Sequence, residues 1–274
     1  MNEECQRYVG NRETLALVPT MGSLHEGHLS LIRTASERCD QVVVSIFVNP
    51  TQFGPNEDLD NYPRDEARDL ELAMKAGATA GFCPSPKDMY PDGFQTTVAV
   101  GKLADHLCGR SRKGHFAGVA TVVTKLLNIV SPNAVFFGQK DFQQLAIIKR
   151  VVRDLSIDVE VIGLPIVREP SGLAMSSRNG YLSLEARDDA TSLSMGLFAA
   201  RELFLQGERS AAALVAKARS IIESPPVITV EYLELCDSLS LETVAEVTDE
   251  CVLAVAARVE NTRLIDNVIL SPNG

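Results

Sequence analysis

Apolar and polar positions fall into blocks along the first part of the chain, and the length and period of each block predict its structure. Leu15-Ala16-Leu17-Val18 is a short apolar run of the buried-strand type. Behind it, Leu31, Ile32, Ala35 and Cys39 recur at helical spacing and predict an amphipathic helix over 29–38. Val42 to Val48 is a β-branched run of strand length, closed by the turn signal Asn49-Pro50. Ala67, Leu70 and Met74 form a stripe that predicts a helix over 64–76, with Gly77 as its C-terminal stop. A short strand over 79–83 and a turn-rich stretch over 84–114 follow. Next come a long apolar helix from Phe116 to Val130, a strand over 134–137, a helix over 142–155 and a strand over 159–164. Strands and helices alternating from 15 to 165 predict a Rossmann-like α/β fold, a parallel sheet doubly wound by helices. Residues 1–14 read as a helical or irregular lead-in.

The pattern changes near 169. Residues 184–206 and 210–223 read as two helices, ended by Gly207 and by Pro225-Pro226. Three strand-like runs follow, Ile228–Leu235, Cys251–Val259 and Thr262–Leu270, with no helix between them long enough for a crossover. This predicts a smaller C-terminal α+β domain over 169–274 beside an N-terminal domain over 1–168.

The chemistry concentrates on Pro19-Thr20-Met21-Gly22-Ser23-Leu24-His25-Glu26-Gly27-His28. The stretch sits between a predicted strand and a predicted helix, where backbone N–H groups and the helix dipole suit a phosphate. His25 and His28 are three apart and share one helix face. They could alternatively form half of a metal site, although the sequence holds only 4 histidines in all. A second strand-to-helix turn, Gly138-Gln139-Lys140-Asp141, lies at the same predicted edge of the sheet, where ligands of such folds bind. Read alone, Lys140-Asp141 would be a solvated pair, Ser176-Ser177-Arg178 a helix cap with a surface arginine, and Asp65 to Asp69 a solvated helix start. Arg112 and His115 are secondary candidates in a glycine-rich loop. Lys125 either snorkels from its apolar helix or reaches a phosphate.

Composition narrows the classes. A net charge of −10 argues against a general nucleic-acid or membrane-surface binder, while leaving room for a local basic site. The 6 cysteines are scattered with no Cys-x-x-Cys, which reads as reduced, structural thiols of a cytoplasmic protein. No signal peptide or apolar run of membrane length is found. No Gly-x-Gly-x-x-Gly follows a strand and no P-loop signature occurs, which disfavours a dinucleotide dehydrogenase or a P-loop NTPase.

Several segments together resemble the pantoate–β-alanine ligase family, within the wider HxGH nucleotidyltransferase superfamily. They are Pro19–His28, Val44–Gly54, Tyr62-Pro63-Arg64, Gly114–Lys125, Phe136–Gln144, Met175–Arg178 and Arg263–Asn267, and they cover nearly the whole chain in family order. Two features depart from the family's pattern: a shorter lead-in, and Arg68 where an acidic residue often precedes Asp69. The resemblance implies an ATP-dependent enzyme that works with Mg²⁺. ATP and pantoate would form pantoyl adenylate and pyrophosphate; β-alanine would then displace AMP. It further implies catalytic roles for His25, His28, Lys140, Ser176, Ser177 and Arg178. The implied ATP site adds Pro19, Met21, Gly138, Asp141, Val167 and Met175. Pantoate would contact Met21, Gln52 and Gln144, and Asp69 would touch the metal. A homodimer is implied as well; the change of pattern near 169, with Met175–Arg178 just beyond it, predicts a C-terminal domain acting as a lid. Competing readings are another adenylyl or cytidylyl transferase using the same turn, and a non-catalytic nucleotide binder of the same fold.

Overall fold

The computed structural model describes residues 1, 5, 8, 13–55 and 57–272, so most of the expected lead-in over 1–14 lies outside the described residues. The chain divides into two compact units. The first comprises Met1–Ala104, Gly109–Gln139 and Gln144–Pro165; the second comprises Asp105–Cys108, Lys140–Gln143 and Ile166–Gly274. Two short segments from the N-terminal part of the sequence therefore group with the C-terminal part, which a single cut at 168/169 does not capture.

The first unit is built on strands β1 (Leu15–Thr20), β2 (Gln41–Ile46), β3 (Ala80–Phe82), β4 (Ala134–Gly138) and β5 (Glu160–Leu164). They form one sheet in the order β3-β2-β1-β4-β5, and every pairing is parallel. Successive side chains of a strand point to opposite faces, and β1 is apolar on both. Leu15 and Leu17 enter one core with Val123, Leu126 and Ile148, from helices His115–Val130 and Phe142–Asp154. Ala16 and Val18 enter the other with Ile32, Ala35 and Ala73, from helices Glu26–Arg38 and Glu66–Lys75. Burying a Val or Leu side chain is worth about 1.5–3 kcal/mol, so a strand apolar on both faces is driven to the middle of the sheet. The edge strands β3 and β5 are correspondingly less buried. The helices on both faces match the expectation, and Gly77 closes its helix at a φ of +110°.

The second unit carries strands β6 (Ile228–Asp237), β7 (Cys251–Val259) and β8 (Thr262–Leu270) in an antiparallel sheet of order β6-β7-β8. Leu193 and Leu197 of helix Thr191–Leu205, with Leu214 and Ala218 of helix Ala211–Ile222, share a core with Leu253 and Val255 of β7. The single helix expected over 184–206 is two, Leu184–Asp189 and Thr191–Leu205, joined at Ala190. No glycine or proline marks that joint, so the apolar pattern runs through it unbroken.

Candidate active site

In the first unit the site grows from the C-terminal ends of β1, β2 and β4. β1 runs into a reverse turn in which Gly22 has a φ of +82° and Ser23 a φ of +52°. A Cβ on Gly22 would lie 2.8 Å from Oδ2 of Asp69, so glycine is required twice over, by backbone and by space. Asp69 is 1% exposed. Its Oδ2 accepts the Ser23 N–H at 2.7 Å and its Oδ1 the Leu24 N–H at 2.8 Å. The expectation of a solvated start for this helix is therefore wrong at Asp69: the carboxylate is inside, pinning the turn that leads to the histidines.

His25 caps helix Glu26–Arg38. Its Nδ1 accepts the Gly27 N–H at 3.2 Å, and His28 Nδ1 accepts the His25 N–H at 3.4 Å, a reciprocal capping box made by two imidazoles. The ring centroids are 4.1 Å apart. With its δ nitrogen accepting, an imidazole that is neutral carries its proton on Nε2. The reading as helix-start residues holds for the backbone at this turn. Among the described residues no group of three His, Cys, Asp or Glu side chains is placed to hold a metal, so the half-site alternative finds no third ligand.

Gln52 lies in the turn Pro50–Gln52 after β2 and is 9% exposed. Its Nε2 donates to Met21 Sδ at 3.0 Å, which brings together two of the three expected pantoate residues. Asn49 Nδ2 donates to Gln52 Oε1 at 3.1 Å and to the Gly118 carbonyl at 3.2 Å. The turn rests directly on helix His115–Val130: a Cβ on Gly118 would be 2.5 Å from the Thr51 carbonyl oxygen. Pro19, within β1, pairs with Ser45 of β2. Gln144 is half-buried in the first turn of helix Phe142–Asp154, beyond the end of β4 where Gly138 stands.

Arg112 and His115 support Gln52. Arg112 binds Glu57 with two hydrogen bonds, 2.7 and 2.6 Å, and its third nitrogen donates to His115 Nε2 at 2.9 Å. His115 Nδ1 then donates to the Gln52 carbonyl at 2.7 Å. Burial works to raise the Glu57 pKa, but the Arg112 hydrogen bonds and charge outweigh it and hold the carboxyl at about 2. Because the folded value lies below the unfolded one, the pair stabilises fully above the ordinary carboxyl value of 4.5 and loses that contribution as pH falls towards about 2. From about pH 5 to about 3, the parent should lose more stability in urea unfolding than Glu57→Gln; equal slopes would show that the pair is not linked to folding. Lys125 stands with its ammonium 4.9 Å from the centroid of Phe94, a cation–π contact.

The second unit holds the other candidates. Lys140 and Asp141 lie in the turn Gln139–Asp141, with Nζ and Oδ2 3.6 Å apart. The Lys140 side chain is 19% exposed against 49% for Asp141, so the lysine is less solvated than its sequence neighbour suggests. Val167 and Met175 face each other in a short hairpin, the Met175 N–H donating to the Val167 carbonyl at 3.0 Å. The hairpin delivers Ser176, whose Oγ accepts the Arg178 N–H at 3.3 Å and caps the turn Ser177–Tyr181. The cap reading of Ser176 is thus correct locally. Asn179, not singled out in the sequence, ties this turn down: its Nδ2 donates to Glu169 Oε1 at 2.7 Å and to the Ala174 carbonyl at 3.1 Å.

A five-stranded parallel sheet whose first strand ends in a histidine-capped HxGH turn defines a nucleotidyltransferase-type α/β enzyme. The sequence model described as pantoate-beta-alanine ligase matches residues 1–269, and the chain belongs to that family. The pantothenate synthetase of Geobacter sulfurreducens is 55% identical over 258 residues, covering 94% of this chain and 91% of that one. The pantothenate synthetase of Thermotoga petrophila is 54% identical, covering 94% and 92%. Among solved structures, pantothenate synthetase from Thermus thermophilus has a TM-score of 0.91 at 44% identity, covering 94% of this chain and 93% of that one. Pantoate-beta-alanine ligase from Francisella tularensis, complexed with beta-gamma ATP and beta-alanine, has a TM-score of 0.75 at 36% identity, covering 94% and 90%. Among the described residues, no helix is long and apolar enough to cross a membrane.

Proposed function

We propose that this chain joins pantoate to β-alanine at the expense of ATP, through a pantoyl adenylate. Membership of the family supports the overall reaction; the imidazole-capped turn is the observation that carries the route. A carboxylate is a poor acyl donor because oxide is a poor leaving group, and adenylation replaces it with AMP. A pantoate carboxylate oxygen attacks the α-phosphorus and pyrophosphate departs. The amine of β-alanine then attacks the acyl carbon, and AMP leaves with that carboxylate oxygen. Neither step needs a protein nucleophile. Both need donors directed at phosphate oxygens where charge builds.

In this reading the Nε2–H groups of His25 and His28, the Lys140 ammonium, the Ser176 and Ser177 hydroxyls and the Arg178 guanidinium are those donors. Pro19, Met21, Gly138, Val167 and Met175 line the nucleotide, and Asp141 accepts from the ribose. Gln52 and Gln144 each donate and accept, which matches a substrate bearing both hydroxyls and a carboxylate. Asp69 directs both oxygens at backbone N–H groups, so in this reading Mg²⁺ is carried in on the ATP phosphates rather than held by a resident carboxylate. The 6 cysteines, none of them in a disulfide, suit a reducing compartment, and we place the enzyme in the cytoplasm. We propose a homodimer, to be checked by sedimentation velocity; a monomer at assay concentration would reject it.

Protein, Mg²⁺, ATP, pantoate and β-alanine should give pantothenate, and omitting any substrate should stop it. ATP–pyrophosphate exchange should require pantoate; exchange without it would favour a different nucleotidyl transferase. With ¹⁸O in the pantoate carboxylate, one label should appear in AMP. Label found only in pyrophosphate or phosphate rejects the adenylate.

A further inference from the structure

The Arg263–Asn267 stretch is a family motif to which the reaction assigns no task. It lies in β8, and its side chains hold segments from much earlier in the chain. Asn267 is 2% exposed, and its Nδ2 donates to the carbonyl oxygen of Lys140 at 3.0 Å, across 127 residues of sequence. Its neighbour Asp266, 3% exposed, accepts two hydrogen bonds from Arg168, at 2.6 and 2.9 Å, and its Oδ1 also accepts the Asn267 N–H at 2.7 Å. Arg168 donates besides to the Gly172 carbonyl at 3.1 Å, inside the hairpin that leads to Ser176. One ion pair, its carboxylate buried and its guanidinium 17% exposed, is thereby bonded both to the strand that grips Lys140 and to the hairpin that carries Met175–Arg178.

This arrangement is costly. Burial pushes the Asp266 carboxyl above its ordinary range even with Arg168 beside it. A buried ion pair of this kind is weak as a source of stability, and an apolar replacement is often neutral or better. It is better explained by what it orients. The turn Gln139–Asp141 is a single 3₁₀ turn, with poorer hydrogen-bond geometry than an α-helix. The lysine side chain is a flexible four-carbon stem. Where its ammonium can reach therefore depends on where its backbone is held.

We infer that Asn267 is a positioning residue for Lys140, and that the Arg168–Asp266 pair sets Asn267 and the Ser176–Arg178 turn from one anchor. The inference rests on the reading of Lys140 as a phosphate-facing donor. It also accounts for the grouping of Lys140–Gln143 with the C-terminal unit. At the other end of the motif, Arg263 donates to Glu231 at 2.8 Å and to Cys108 Sγ at 3.6 Å, and Asp105–Cys108 groups with the same unit.

The test is a double-mutant cycle on the adenylation half-reaction, read as pyrophosphate release in a single turnover. Asn267→Asp keeps the size of the side chain but has no N–H to give the Lys140 carbonyl. It should slow release by about 10- to 100-fold, the scale of a small misplacement of a catalytic group. Coupling of β-alanine to preformed pantoyl adenylate should stay near the parent rate. In a Lys140→Ala background the same substitution should cost nothing further. Losses that multiply in the double variant, or equal falls in both half-reactions, overturn the inference. If Lys140→Ala alone leaves pyrophosphate release unchanged, the reading of Lys140 fails and this inference with it, which is a distinguishable result. Should Asn267→Asp fold poorly, Asn267→Ser, whose hydroxyl is too short to reach the carbonyl, takes its place in the cycle.

Discussion

Lys140→Ala should slow pyrophosphate release in a single turnover by about 10²–10³-fold, the loss expected for one preorganised donor at a site of developing charge, or roughly 3–4 kcal/mol. The lysine follows a buried strand, its carbonyl is held by Asn267, and its ammonium brings three donors and a full positive charge. Attack of a carboxylate on the α-phosphorus gathers negative charge on the phosphate oxygens, and that is where such a group contributes most. The second half-reaction expels AMP from an acyl carbon and needs less of it. Supplied with preformed pantoyl adenylate, the variant should couple β-alanine at close to the parent rate. The folded state should hardly notice: the partner Asp141 is 49% exposed, and its Oδ2 lies 3.6 Å from the ammonium, so solvent screens the pair. Equal falls in both half-reactions would mean that Lys140 holds the adenylate throughout. A change of only a few-fold in both would return it to a solvated surface lysine.

Much of the architecture is legible in the pattern of apolar positions, because period and length act locally. β1, β2 and β4 are short runs apolar on both faces, and such runs have no stable place except inside a parallel sheet. Gly77 and Gly207 end their helices at φ values of +110° and +108°, which follows from what glycine alone tolerates. The histidine pair was visible for the same reason: spacing on a helix start is a local property. What stayed hidden is long-range. In the sequence, Asp69 is one more acid in Asp65-Glu66-Ala67-Arg68-Asp69; its burial depends on a turn 45 and 46 residues earlier. Glu57 and Arg112 are ordinary surface charges until a contact across 55 residues joins them, and only then does His115 acquire the task of holding Gln52. The break at Ala190 was illegible for another reason. Helix Thr191–Leu205 is apolar on several sides, with Met195 and Leu205 exposed beside buried Leu193 and Leu197, so no stripe shifts phase to mark the joint.

Asp69 separates two chemistries that the sequence alone leaves together. If its task is to touch a metal, Asp69→Asn should keep the fold, lose activity, and regain part of it at high Mg²⁺. If its task is to hold the turn before His25, the same variant should behave otherwise, and this is the expected result. One carboxylate oxygen becomes an amide N–H₂ facing a backbone N–H, so the Ser23 or the Leu24 N–H loses its acceptor. A buried donor left unsatisfied costs about 1–3 kcal/mol, enough to register in urea unfolding but within the roughly 5–15 kcal/mol available to a folded protein. Asp69→Ala removes both acceptors and should cost about twice as much. Activity should fall with the turn, because His25 is the N-cap of its helix and His28 is bonded to the His25 N–H. When Ser23 and Leu24 are no longer held, both imidazoles lose their reference, and displacements of an ångström can cost about 10²-fold. Added Mg²⁺ should recover neither stability nor rate. Recovery of rate by metal in a stably folded Asp69→Asn protein would show that the carboxylate serves the ion, and that the two backbone hydrogen bonds are incidental to its function.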